Sequence, residues 1–166
     1  MFTSLQSARL LRGAPLGALL AAAATLAAVP AARAQWVAQA SPTTVELRGL
    51  SVLSSTVAWA SGMRGTVLHT MDAGATWIAD TVPGASRLDF RAVAATSPMV
   101  AHVLSIGDSS RIFRTTDGGR SWSLRYVSTR KGSFFDAIKF WDARHGIAVS
   151  DPVNGHVLLA ATDDGG

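Results

Sequence analysis

The chain has 166 residues, 48% of them hydrophobic and 16% charged, with no cysteine. That composition suits one packed domain and excludes a disulfide framework, a thiol nucleophile and any thiolate metal centre. The formal charge of +4 is concentrated at one end: Arg9, Arg12 and Arg33 lie in the first 34 residues, which hold no acid, and beyond them 12 basic residues face 11 acidic ones. No basic surface is left to support a nucleic-acid partner.

The first predicted element is a leader. Arg9 and Arg12 precede an apolar stretch from Ala14 to Val29, and Ala32-Arg33-Ala34 supplies small residues before Gln35. This is the three-part layout of a secretory signal peptide over residues 1–34, cleaved before Gln35. The apolar run is short for a bilayer span and Pro30 closes it, so no stable membrane span is expected after cleavage. Without a cysteine after the run there is no lipid anchor. The expected location is periplasmic or extracellular. Residues 35–44 read as a linker.

From residue 45 the texture changes to short apolar stretches bounded by Gly, Ser, Asp and Pro, among them Thr56-Val57-Ala58-Trp59-Ala60, Val100-Ala101-His102-Val103-Leu104 and Gly146-Ile147-Ala148-Val149. None keeps a 3.6-residue period long enough for a helix, and the region reads as all-β. Repetition organises it. Thr70-Met71-Asp72-Ala73-Gly74-Ala75-Thr76-Trp77 recurs 45 residues later as Thr115-Thr116-Asp117-Gly118-Gly119-Arg120-Ser121-Trp122. A third copy begins Thr162-Asp163-Asp164-Gly165-Gly166. The same offset of 45 matches Gly62 to Gly107, Val67 to Ile112 and Leu68 to Phe113.

Each copy has a structural rationale. An Asp carboxylate can accept hydrogen bonds from the amides of a tight turn, glycine supplies positive φ, Ser or Thr hydroxyls satisfy further backbone groups, and the closing Trp returns apolar surface to the sheet. The structural set is therefore Thr70, Asp72, Gly74, Thr76 and Trp77, then Thr115, Asp117, Gly119, Ser121 and Trp122, then Thr162, Asp164 and Gly166. An isolated acid in each turn is a poor ligand set for a cation that wants six to eight oxygens. The pattern Ser/Thr-x-Asp-x-Gly-x-Thr/Ser-Trp resembles the Asp-box, or BNR repeat, of sialidases, sortilin-type receptors and photosystem II stability and assembly factor-like proteins, and the last group is the most similar. Ala73 departs from that pattern, which usually has glycine there.

The resemblance implies a β-propeller of four-stranded blades, with about three blades present and the ring incomplete: residues 45–85, 86–130 and 131–166, the last truncated. It further implies a non-enzymatic protein-binding scaffold or assembly factor, in the thylakoid lumen if the cell is photosynthetic. Superposed repeats align Arg48, Arg91 and Asp136 on the innermost strands, making them the candidate partner-binding residues at the channel. Solvated polar residues or an ion pair between blades are the alternative reading. Asp151-Pro152-Val153-Asn154-Gly155 reads as a turn by its Pro, Asn and Gly chemistry, and equally as a recognition loop. The competing function is a sialidase-like glycoside hydrolase or glycan-binding propeller. It needs an arginine cluster and a tyrosine nucleophile paired with glutamate, yet Tyr126 and Glu46 are the only residues of their kinds. The four histidines, His69, His102, His145 and His156, lack metal-binding spacing. No catalytic residue, metal or cofactor is expected.

Overall fold

The computed structural model describes residues 35–107 and 109–166, so the leader expected over 1–34 lies outside the described residues. All its strands fall in one compact unit, Val37–Gly166. The first sheet comprises β1 (Leu47–Val52), β2 (Ala58–Gly62), β3 (Thr66–Thr70) and β4 (Ile78–Thr81). The second comprises β5 (Asp89–Ala95), β6 (Ala101–Ile106), β7 (Arg111–Thr115) and β8 (Ser123–Val127). The third has β9 (Phe135–Phe140), β10 (Gly146–Val153) and β11 (His156–Thr162). Every sheet is an antiparallel meander in chain order, and there is no α-helix among the described residues. The first strands adjoin, β1 against β5 and β5 against β9, and the meanders fan out from them as propeller blades, open at both ends.

The cores lie between sheets. Trp59, Val67, Phe90, Val93, Val103 and Phe113 fill the first joint. Leu104, Phe135, Ile138 and Ala148 fill the second. Successive side chains point to opposite faces of a sheet, and the second sheet lies between two neighbours, so β6 is buried along nearly its whole length, sending Val103 to one joint and Leu104 to the other.

The register corrects the single repeat offset. Thr70 and Thr115 correspond, as do Val67 with Ile112 and Leu68 with Phe113, but the partner of Thr70 is Ala58 and that of Thr115 is Ala101, an offset of 43. Gly62 is therefore not the counterpart of Gly107. The extra length sits in the hairpin between second and third strands: Ser61 pairs with Val67, Leu104 with Ile112 and Val149 with Leu159, two residues more at each sheet. A second correction concerns Asp151–Gly155. Asp151, Pro152 and Val153 belong to β10, and only Asn154 and Gly155, with φ of 52° and 79°, make the two-residue turn. Positive φ at both positions is the mirror-image turn whose twist suits a hairpin. Pro152 pairs only toward β11, where β9 has already ended its ladder with β10, so no amide is missed.

Candidate functional site

The innermost strands share one irregularity. In β1 the pairing with β2 slips between Leu47 and Gly49, in β5 the pairing with β6 slips between Phe90 and Ala92, and in β9 the partners of Phe135 and Ala137 are Ser150 and Val149. The residue left over by each bulge is Arg48, Arg91 and Asp136 respectively. A bulge turns its extra side chain out of the pleat, and all three side chains reach one groove of about 190 Å³ across the inner strands, with Lys139 beside them. The sheets approach closely beside the groove: a Cβ on Gly49 would lie 2.9 Å from the Ala92 and Val93 backbone of the second sheet. Arg48 donates to Glu46 (3.3 Å) and bridges to Asp89 of the next sheet (3.2 Å), while Arg91 Nε donates to Asp136 Oδ1 at 2.9 Å. The three candidates thus meet in one place, and each also takes part in a cross-sheet ion pair, Arg48 with Asp89 and Arg91 with Asp136. Counting Lys139, three cations face one acid in the groove.

The repeated turns are built alike. Thr70 Oγ1 donates to Asp72 Oδ1 (2.8 Å) and accepts from the Gly74 amide (2.9 Å); Asp72 Oδ1 accepts from the Thr76 amide (2.9 Å) and Oδ2 from its hydroxyl (2.6 Å). Thr115, Asp117, Gly119 and Ser121 repeat these bonds at the same distances. In the third copy Thr162 Oγ1 donates to Asp164 Oδ1 (2.8 Å), which also accepts from the Gly166 amide (2.9 Å). These bonds favour the ionised carboxylates. The Thr76 hydroxyl first of all holds Asp72 at about 2, and the Ser121 hydroxyl does the same for Asp117. Both oxygens of Asp72 and of Asp117 are engaged by the turn itself.

Sequence reasoning missed the partner of each turn. Between first and second strands, Ser54 Oγ accepts from the amides of Thr56 and Val57, Ser97 Oγ from those of Met99 and Val100, and Asp142 Oδ1 from those of Arg144 and His145. The carbonyls of Thr56, Met99 and Arg144 then accept from Ala73, Gly118 and Gly165 at 2.7–3.0 Å. A short Ser/Asp turn and the Asp-box turn are tied together at the same end of every sheet. The recurrence Ser54, Ser97, Asp142 was the available signal, but serine is too common for it to stand out. Gln39 was also missed: its amide donates to the Ala73 carbonyl (2.9 Å) and accepts from Trp77 Nε1 (3.1 Å), anchoring the predicted linker on the first box.

Among the described residues Tyr126 and Glu46 are not paired. Tyr126 lies on β8 with its ring edge-on to Phe135, whereas Glu46 precedes β1 and pairs with Arg48. The histidines are dispersed: His69 stacks on Trp59, His102 on Phe140, and His145 bonds Asp142. Among the described residues no group of side chains suits a metal ion.

No family model and no curated protein matches the chain. Solved structures do. YCF48 bound to D1 peptide superposes with a TM-score of 0.63 at 24% identity, over 75% of this chain and 39% of that one. YCF48 from Cyanidioschyzon merolae gives 0.57 at 25% identity, over 76% and 39%. The chain folds like YCF48. Three side-by-side meanders and their boxes are thus part of a β-propeller, and the chain spans about two fifths of the YCF48 chains it matches. No helix among the described residues is long and apolar enough to cross a membrane.

Proposed function

We propose that the chain is an exported, non-enzymatic propeller that binds a protein segment, in the manner of the photosystem II assembly factor-like proteins its boxes resemble. One observation carries this reading: three bulges at equivalent positions deliver Arg48, Arg91 and Asp136 into one groove across the inner strands. A rigid sheet scaffold holds the charges, and the bulges aim them. The likeness to YCF48, one structure of which holds a D1 peptide, supports a peptide or protein as the partner class. The placing of Tyr126 on β8 and of Glu46 before β1, paired with Arg48, favours the binding reading over a tyrosine–glutamate glycosidase. Residues 1–34 supply the export signal, placing the mature protein in the periplasm, outside the cell, or in the thylakoid lumen of a photosynthetic cell.

The test is affinity capture of exported proteins by the tagged full chain, run beside Arg91→Glu and beside a panel of aryl glycosides. Retention of a specific protein by the wild type and its loss on charge reversal is the expected result. Capture unaffected by Arg91→Glu moves the site elsewhere, and glycoside turnover abolished by a single acidic substitution replaces the binding reading with the enzymatic one.

A further inference from the structure

We propose that the joint between the second and third sheets is an acid-operated latch, closed while the His102 imidazole is neutral and released when it takes a second proton. The register defines the seat. Trp59 lies opposite His69, one position before the first box, and His102 lies opposite Arg114, one position before the second. Each seat residue faces the next box: a Cβ on Gly119 would lie 3.4 Å from Trp59, and one on Gly166 would lie 3.4 Å from His102 Nε2. At the first joint the seat holds an indole, which does not titrate. At the second it holds an imidazole that is 1% exposed.

Its hydrogen bonding fixes the tautomer. Nε2 lies 2.9 Å from the Gly165 carbonyl, an acceptor only, so Nε2 carries the hydrogen. The ring stacks on Phe140 of β9, with centroids 4.3 Å apart. Nδ1 is buried without a partner. A second proton must go to Nδ1, which makes no hydrogen bond in the closed joint, so it becomes a buried charged donor with only the Ala94 carbonyl across the ladder to favour it. The charged and titratable groups facing this joint are Arg114 on β7, Arg125 and Tyr126 on β8, and Asp164 in the third box. Phe140 and Ile147, from β9 and β10, carry no charge. The Asp164 carboxylate is engaged by Thr162 and the Gly166 amide, so two guanidiniums oppose the incoming charge. Burial first of all, with Arg114 and Arg125 adding to it, holds the imidazole down to about 4 from its ordinary 6.5, against the pull of the Gly165 and Ala94 carbonyls. A histidine depressed in the closed state steadies the joint fully above its ordinary value. That contribution is lost as pH falls from about 6.5 toward 4. Parting the sheets hydrates the imidazolium and uncovers the Phe135, Ile138 and Ala148 core.

Hydrogen exchange of the full chain between pH 7.5 and pH 4.5, corrected for intrinsic rates, tests the latch. Protection over Gly146–Thr162 is expected to fall about tenfold per pH unit below about 6.5, the slope of one proton, while Ala58–Thr81 keeps its protection as internal reference. His102→Gln, which retains a donor for the Gly165 carbonyl and cannot charge, is expected to abolish the difference. Parallel loss in wild type and His102→Gln overturns the proposal. Should that variant fail to fold at neutral pH, an NMR titration of the wild-type imidazole decides: ordinary protonation near 6.5 with the third sheet still protected overturns it too.

Discussion

Ala73 shows how one residue can carry a fold rule against its own preference. It occupies the position held by Gly118 and Gly165 and adopts φ of 62°, a left-handed conformation that suits glycine better. Its amide must bond the Thr56 carbonyl, so the conformation is imposed by the tie between the two turns. Ala73→Gly is expected to stabilise the chain by about 0.5–1 kcal/mol, the left-handed cost relieved less the extra freedom of glycine when unfolded. Urea midpoints measure it, and a lower midpoint would show that the strain is not there. The box carboxylates give a separate pH signature. Asp72 and Asp117 sit at about 2 when folded, below their ordinary 3.8. Their contribution is therefore complete above the ordinary value and disappears as pH falls through about 2. Asp117→Asn should flatten the acid limb of thermal stability between pH 4 and pH 2, and an unchanged limb would refute the assignment.

At the scale of elements, the sheets are joined by a few specific contacts on top of general apolar burial. Trp122 meets Trp59 edge-on at 6.3 Å, binding the second box to the first sheet. Arg91 and Asp136 clasp the second and third sheets from the channel side, with side chains 42% and 33% exposed. Water screens a pair so placed. A double-mutant cycle on Arg91→Ala and Asp136→Ala should return a coupling of only about 0.2–1 kcal/mol, shrinking with added salt. A much larger, salt-insensitive coupling would make the pair a structural clasp and weaken its candidacy as a binding site. The bulges have more consequence than the pair, because without them a strict two-residue alternation would turn the charges away from the groove.

At the scale of the molecule, equivalent positions have unequal surroundings. Val93 and Ile138 on the second and third inner strands are 3% and 4% exposed, whereas their counterpart Leu50 is 64% exposed and Val52 beside it 69%. The first sheet presents a blade-packing face with no blade on it in the described residues. An apolar sheet face of this kind drives self-association. Leu50→Lys combined with Val52→Lys is expected to lower the light-scattering mass of the isolated chain without altering its β-sheet circular dichroism. Equal scattering would assign association to another surface.

Much of this was legible in the sequence because the box is local. Thr, Asp, Gly and Trp at fixed spacing satisfy one another within a single turn, and the strands on either side are short and bounded by turn residues. The alignment of Arg48, Arg91 and Asp136 could also be read, since the inner strands repeat. Other features required the assembled molecule. Their partners lie far apart along the chain: Gln39 on the first box, the Arg91–Asp136 pair, and His102 in the seat that Trp59 fills one sheet earlier. The turns and the all-β repeat are written in the chain order alone, because each is stabilised by neighbours a few residues away. Only tertiary structure decided which side chains face each other between sheets, because bulges and lengthening hairpins shift the register by amounts that no single repeat contains.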